Sequence, residues 1–444
     1  MKKFNLEPIG KLFISLLLIA SIANGTVLAV NAKPLRPSPT TTTEPTTTTQ
    51  TPTTTTTPTT TPTTTTEQSP TTPTPTTETQ QPTLPATPVT EPVLTETTNP
   101  LFTMTTDSVN YNLISSKSAN YISGYSFSDW VPLADGWMII GDTSMNKVII
   151  LNVITGEVAQ QYQLTSAPTM LDVDFEKGFV YATQRSTNKL AKINVNTNQV
   201  TYITTSGSNI DVAVGENNIV FTAARSEFHS TMVSIIDAQQ NREVNTYNLG
   251  QKADFLAYNK GLSNLILAEQ GTSPSSLIRC AYDPVSKSLS LVQQVRDMGE
   301  NGRELTISND LKHIAFAAGG GNGEGYTIFD IDSSNLTNNF GEWNTGAYPT
   351  AVAFSPDNQY LIASDSHQIQ VFDMNTHVLL KSKTLSTGIV GVSRGSKIIY
   401  AYNGGKIYYY ALDTLGDLGT NSTLPVNNSV STIVLTINKP VMFV

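Results

Sequence analysis

The 444-residue sequence contains a single cysteine, Cys280, so no disulfide can form within the chain and an apolar core must hold the fold. Cys280 sits in Leu277-Ile278-Arg279-Cys280-Ala281 and reads as a small buried strand residue. Basic charge is also scarce: 26 Lys and Arg stand against 35 Asp and Glu, a net charge of −9 with no basic stripe, which argues against a nucleic-acid partner. Only four histidines occur, His229, His313, His367 and His377, and none shows metal-ligand spacing with another. Long apolar runs are missing too. Residues 12–23 form an apolar run of 12, short of the roughly 20 residues that span a bilayer as a helix. Helical periodicity is essentially absent.

What is present divides the chain into four parts. Residues 1–32 resemble a secretory signal peptide: Lys2, Lys3 and Lys11 precede or flank the apolar run, and Val30-Asn31-Ala32 is a small-residue cleavage site, with Ala23-Asn24-Gly25 as the second choice. No Cys lies nearby to accept a lipid. Residues 33–104 are low-complexity Thr and Pro with scattered Glu, too poor in apolar groups to offset chain entropy. They read as a disordered, extended linker or stalk suited to O-glycosylation. Residues 105–417 are the folded part, and residues 418–444 a linker with the start of a further module.

Within the folded part an apolar strand ending on a small residue recurs seven times. Its copies are Met138-Ile139-Ile140-Gly141, Phe179-Val180-Tyr181-Ala182, Ile219-Val220-Phe221-Thr222, Leu265-Ile266-Leu267-Ala268, Ile314-Ala315-Phe316-Ala317, Tyr360-Leu361-Ile362-Ala363 and Ile398-Ile399-Tyr400-Ala401. Their last residues are separated by 41, 40, 46, 49, 46 and 38 positions. A strand precedes each copy and another follows, then a polar turn and a last strand. Four antiparallel strands per repeat at this period predict an all-β, seven-bladed β-propeller. The small residue lets neighbouring sheets approach where the blades crowd. The seventh repeat lacks its outer strand, and the segment 111–122 is expected to supply it, closing the ring.

Acidic residues mark the start of the innermost strand in five repeats: Asp129, Asp172, Asp211, Asp254 and Glu304; Thr350 and Val390 break the series. If they face the axial channel they make a negative funnel that suits Ca²⁺ or a basic ligand. The alternative is strand-end duty, with the carboxylates satisfying turn amides. A slip of one residue would reverse their facing. The loops after the anchor strands share that face. They carry Arg185, Arg225, a Gly-rich run at 319–325, and Asp365-Ser366-His367, so a ligand-binding set of the five acids with Arg185, Arg225 and His367 is expected there. The Gly-rich run lacks the Lys-Ser/Thr of a phosphate loop, and 330–335 lacks the Gly and Glu of an EF-hand. Tyr408-Tyr409-Tyr410 reads as half core and half sheet face. Asn335, Asn421 and Asn427 open Asn-x-Ser/Thr sequons.

The sixth repeat, SPDNQYLIASDSHQIQVFDMNTHVL, resembles the YVTN-type propeller repeat, in the wider group with lactonase-like and cytochrome-d1-like propellers. WMIIGDTSMNKVIILNVITGEV and FVYATQRSTNKLAKINVNTNQV are similar but looser. The resemblance covers residues 125–415 and implies the fold; the group includes enzymes, redox proteins and plain surface proteins. Haem and multi-copper members need more His, sialidase-like members a Ser-x-Asp-x-Gly-x-x-Trp turn, and quinoprotein members more than the three Trp found here. Lactonase-like hydrolysis stays open, with no catalytic residues assigned to it in this chain. The last residues, STIVLTINKPVMFV, resemble the opening strand of the small stalk domain found beside copper amine oxidases, and the chain is expected to be truncated within it. Together these features predict a secreted or cell-surface monomer, a non-catalytic binding or display module for a protein or glycan. The alternatives are a lactonase-like hydrolase at the channel mouth and a structural envelope spacer.

Overall fold

Both faces of each anchor strand are buried, and that is why these strands read as unbroken apolar runs rather than alternating ones. In the strand Trp137–Asp142, Ile139 packs toward the second blade while Met138 and Ile140 pack toward the seventh. The neighbouring strand Lys147–Asn152 divides its residues likewise, with Val148 and Ile150 on one side and Ile149 and Leu151 on the other. The core is therefore not one mass but seven apolar clusters, one in each seam between adjacent blades.

This computed structural model describes residues 98–111, 114, 120–184, 187–225, 230–272, 274–319 and 326–415. The leader, the Thr/Pro segment up to residue 97, Arg185, His229, residues 320–325, Asn421, Asn427 and the C-terminal strand motif lie outside the described residues. The described ones belong to the compact unit Thr90–Val444. They form seven four-stranded antiparallel sheets, each ordered from innermost to outer strand along the chain, with one exception. In the seventh, Ile389–Val392, Ile398–Asn403 and Lys406–Ala411 are completed by Asn120–Ser123, paired from Asn120 opposite Tyr409 to Ser123 opposite Lys406. The expected seven-bladed propeller and its ring closure are thus present, and the closing strand starts at residue 120. Among the described residues no helix is long and apolar enough to cross a membrane.

Local chemistry sets the turns. Asn152, Asn194, Asp237 and Asp373 each accept two backbone N–H bonds from the residues two and three positions on, closing the turn between the third and outer strands. The small residues ending the anchor strands serve close approach: a Cβ on Gly141 would lie 3.0 Å from the Pro168 ring. Cys280 is buried, which pushes its thiol up to about 12 and leaves it inert. Tyr410 is buried, whereas Tyr408 lies against Tyr121 of the closing strand with ring centroids 5.5 Å apart.

Antiparallel order gives the ring two faces. The loop face carries the starts of the innermost strands and the ends of the anchor strands. The turn face carries the opposite ends. Residues 99–111 lie on the turn face and cross the seam at which the chain closes on itself. The Asn99 N–H donates to Asn196 Oδ1 of the second blade at 2.6 Å, and the one-turn helix Pro100–Thr103 places Phe102 against Phe175, centroids 5.9 Å apart. Arg394 of the seventh blade stacks 4.0 Å over Phe175 and donates to the Phe102 carbonyl. Asp107 accepts from the Asp135 N–H of the first blade and from Ser393 Oγ of the seventh. Asp135 in turn accepts from Ser108 Oγ and the Val109 N–H. Phe102 and its helix, which the sequence places in the linker, are thus part of the packed domain.

Candidate functional site

All seven innermost strands border one axial cavity of about 450 Å³. An innermost strand has no neighbour on its channel side, so part of its backbone N–H groups lack a ladder partner and need another acceptor. Four acids of the expected series supply it. Asp129 Oδ2 accepts from the Leu171 N–H of the next blade at 2.7 Å, Asp172 Oδ2 from Val214 at 2.6 Å, Asp211 Oδ2 from Leu256 at 2.6 Å, and Glu304 Oε2 from Val352 at 2.8 Å. The other oxygen of each Asp accepts from its own following residue, Trp130, Val173 and Val212 at 2.7–2.8 Å. The four carboxylates are therefore blade-to-blade staples that also line the cavity.

Their environment disfavours charge. Burial, opposed by the accepted amide bonds, pushes Asp129 up to about 7, Asp172 up to about 6 and Glu304 up to about 8, and raises Asp211 well above the usual carboxylate range. Repulsion from Asp172 acts on Asp129, and repulsion from Asp129 acts on Asp211 and Glu304, in the same direction. The breaks in the series have their own geometry. Thr350 donates to the Thr387 carbonyl at 2.6 Å, a hydroxyl bridge from the sixth blade to the seventh. At the seventh-to-first junction, Gly391 lies where a Cβ would be 2.9 Å from Pro132, a residue with no N–H to give.

Of the remaining expected residues, Asp254 and His367 do not join this cluster, and Arg185 and the Arg225 side chain lie outside the described residues. Asp254 precedes its strand and turns to Lys252, 3.2 Å away, and to the Gln270 N–H; it is not among the residues lining the cavity. Arg225 ends the strand Ile219–Arg225 on the loop face, and its side chain lies outside the described residues. His367 is exposed on the same face. Its Nδ1 lies 2.7 Å from Ser366 Oγ and 4.0 Å from Asp365 Oδ1. A nucleophile–base–acid relay needs the two ring nitrogens to serve different partners, so this trio is not a catalytic triad. Among the described residues no group of three or more His, Cys, Asp or Glu is placed to hold a metal ion. Arg303, exposed and stacked 5.0 Å from the Tyr348 ring centre, lines the cavity beside Glu304. In the sequence only its adjacency to Glu304 in the innermost strand marks it, since no arginine recurs at that place in the other repeats.

No family model and no curated protein matches the chain. Among solved structures it is similar to Kuenenia stuttgartiensis hydrazine synthase, at 14% identity over 64% of this chain and 95% of that one, TM-score 0.54. It is similar to the Cps50 (Swd1) β-propeller domain of Myceliophteria thermophila, at 12% identity over 66% and 100%, TM-score 0.54. A chain of the mitotic checkpoint complex matches at 9% identity over 67% and 95%, TM-score 0.53. At such identities the likeness speaks for fold alone, and the fold it supports is the β-propeller.

Proposed function

We propose that this chain is a secreted or cell-surface propeller of the YVTN-type, lactonase-like group, acting as a non-catalytic binding or display module for a protein or glycan partner on its loop face. The observation that carries the non-catalytic part is the commitment of the channel carboxylates. Asp129, Asp172 and Asp211 use both oxygens on backbone amides, and Glu304 uses one, so the acids build the ring rather than stand ready for proton transfer. The leader-like residues 1–32 and the Thr/Pro segment support the surface address. Residues 99–111, a strap across the closing seam, lie on the turn face, so among the described residues this strap does not cover the loop face. The same staples favour a second reading, in which a self-braced ring is a rigid spacer.

The test is a screen of the full chain against glycan and extracellular-protein arrays, beside Arg185→Ala, Arg225→Ala and His367→Ala. Binding that these loop-face changes reduce at least tenfold supports the module. No binding by the unaltered chain leaves the spacer. Lactone hydrolysis that Glu304→Gln abolishes would overturn the non-catalytic reading.

A further inference from the structure

The fifth and sixth blades meet at a group that is separate from the channel. His313 opens the anchor strand His313–Gly319, and Asp330 lies on the adjacent strand Thr327–Asp332 of the fifth blade. His377 lies in the turn before the outer strand Leu379–Thr384 of the sixth. Asp330 is fully buried, and both its oxygens are engaged: Oδ1 lies 2.8 Å from His313 Nδ1 and Oδ2 lies 2.9 Å from His377 Nε2. The rings are held in place. Trp343 packs on His377 with centroids 4.7 Å apart, and Phe340 packs on His313 at 4.9 Å. A Cβ on Gly341 would fall 2.6 Å from a carbon of the His377 ring, so glycine is what admits the imidazole.

We propose that His313, Asp330 and His377 form a proton-operated clasp between the fifth and sixth blades, tight when an imidazole is charged and weaker when both are neutral. The chemistry is that of a buried carboxylate. Two neutral imidazoles can donate to Asp330 but leave its charge uncompensated, whereas an imidazolium neutralises it. Both side chains keep about a fifth of their surface exposed, 20% and 19%, so protons can reach them from solvent.

The surrounding charges are few. Asp310 favours the charged form of His313, and Lys312, itself 3.6 Å from Asp310, opposes it. Asp332, opposite His313 in the ladder, is occupied by Ser334 and Asn338. The Asp373 carboxylate holds the Asn375 and Thr376 amides, and Glu342 bonds Thr327. The hydrogen bond that His313 donates to Asp330 raises the proton affinity of His313, and burial opposes it only in part. The clasp's contribution through His313 is therefore complete below about pH 6.5, the free imidazole value, and fades as pH rises through the folded value.

With only four histidines in the chain, imidazole NMR titration of the full-length protein resolves them. The expected result is a His313 midpoint above about 6.5, with Asp330→Asn weakening its proton affinity about tenfold or more. Should Asp330→Asn fail to fold, His377→Gln decides. Its amide can still donate to Asp330, which then has one imidazole to balance rather than two, and the His313 midpoint rises. A His313 midpoint at or below about 6.5 in the unaltered chain, or one that His377→Gln leaves unmoved or lowers, overturns the clasp.

Discussion

At the residue scale, the informative fact is what the channel acids touch. Asp211 is the most enclosed of them, at 6% exposure, and it satisfies the Val212 and Leu256 amides. A buried donor stripped of its acceptor costs about 1–3 kcal/mol. Asp211→Ala should therefore destabilise the domain by about 2–4 kcal/mol in urea unfolding, and Asp211→Asn, which keeps one acceptor oxygen, by about half as much. A loss below about 0.5 kcal/mol for the alanine variant would return the carboxylate to the role of an ordinary surface group.

The same residues set the pH dependence. Their folded values lie above the roughly 4 of an unfolded carboxylate, so the folded state binds more protons than the unfolded one between these values. Their contribution is complete below about pH 4 and is lost as pH rises through the folded values of about 6 to 8. The melting temperature should fall steadily from pH 5 to pH 8.5, and Glu304→Gln should flatten the upper part of that slope. A melting temperature that rises over this range would show that the channel carboxylates are charged and stabilised.

At the scale of elements, the strap on the turn face makes its own prediction. Gly395 passes so close to Asp107 that a Cβ would fall 2.2 Å from its backbone nitrogen, and backbone cannot move aside cheaply. Gly395→Ala should lift the strap and cost about 1–3 kcal/mol as a steric clash in a packed region. Proteolysis should then release residues before 111 faster, while the blades stay resistant.

The seven anchor strands were legible in the sequence because burial on both faces leaves an unbroken apolar signature, as in Met138-Ile139-Ile140. The strap was not, since its Asn99, Phe102 and Asp107 carry no period and are defined by partners as distant as Ser393 and Arg394. The series of channel acids was legible and its purpose was not, because the acceptor of each amide sits one blade away. Asp254 shows the limit of the pattern: its carboxylate pairs with Lys252, two positions earlier, and with the Gln270 amide. His313, Asp330 and His377, 17 and 47 positions apart along the chain, meet only in three dimensions.

At the scale of the whole molecule, the propeller is a ring braced in three ways: apolar seams, channel staples, and a closing strand backed by a strap. Bracing of this kind needs no bound cation. Unfolding with Ca²⁺ and with EDTA should give melting temperatures within about 1 °C of each other, whereas saturation a hundredfold above a dissociation constant would add about 2.7 kcal/mol. A Ca²⁺-dependent rise lost in Asp172→Asn would support the cation funnel instead.

The most direct measurement is amide hydrogen exchange at Leu171, Val214, Leu256 and Val352, the four donors that the acids of the preceding blades hold. The account predicts that all four are protected like ladder amides in the folded chain. It also predicts that Asp129→Ala, Asp172→Ala, Asp211→Ala and Glu304→Ala each speed exchange at the matching amide at least tenfold. Exchange at the rate of open edge amides in the unaltered chain would contradict it and free those carboxylates for a ligand.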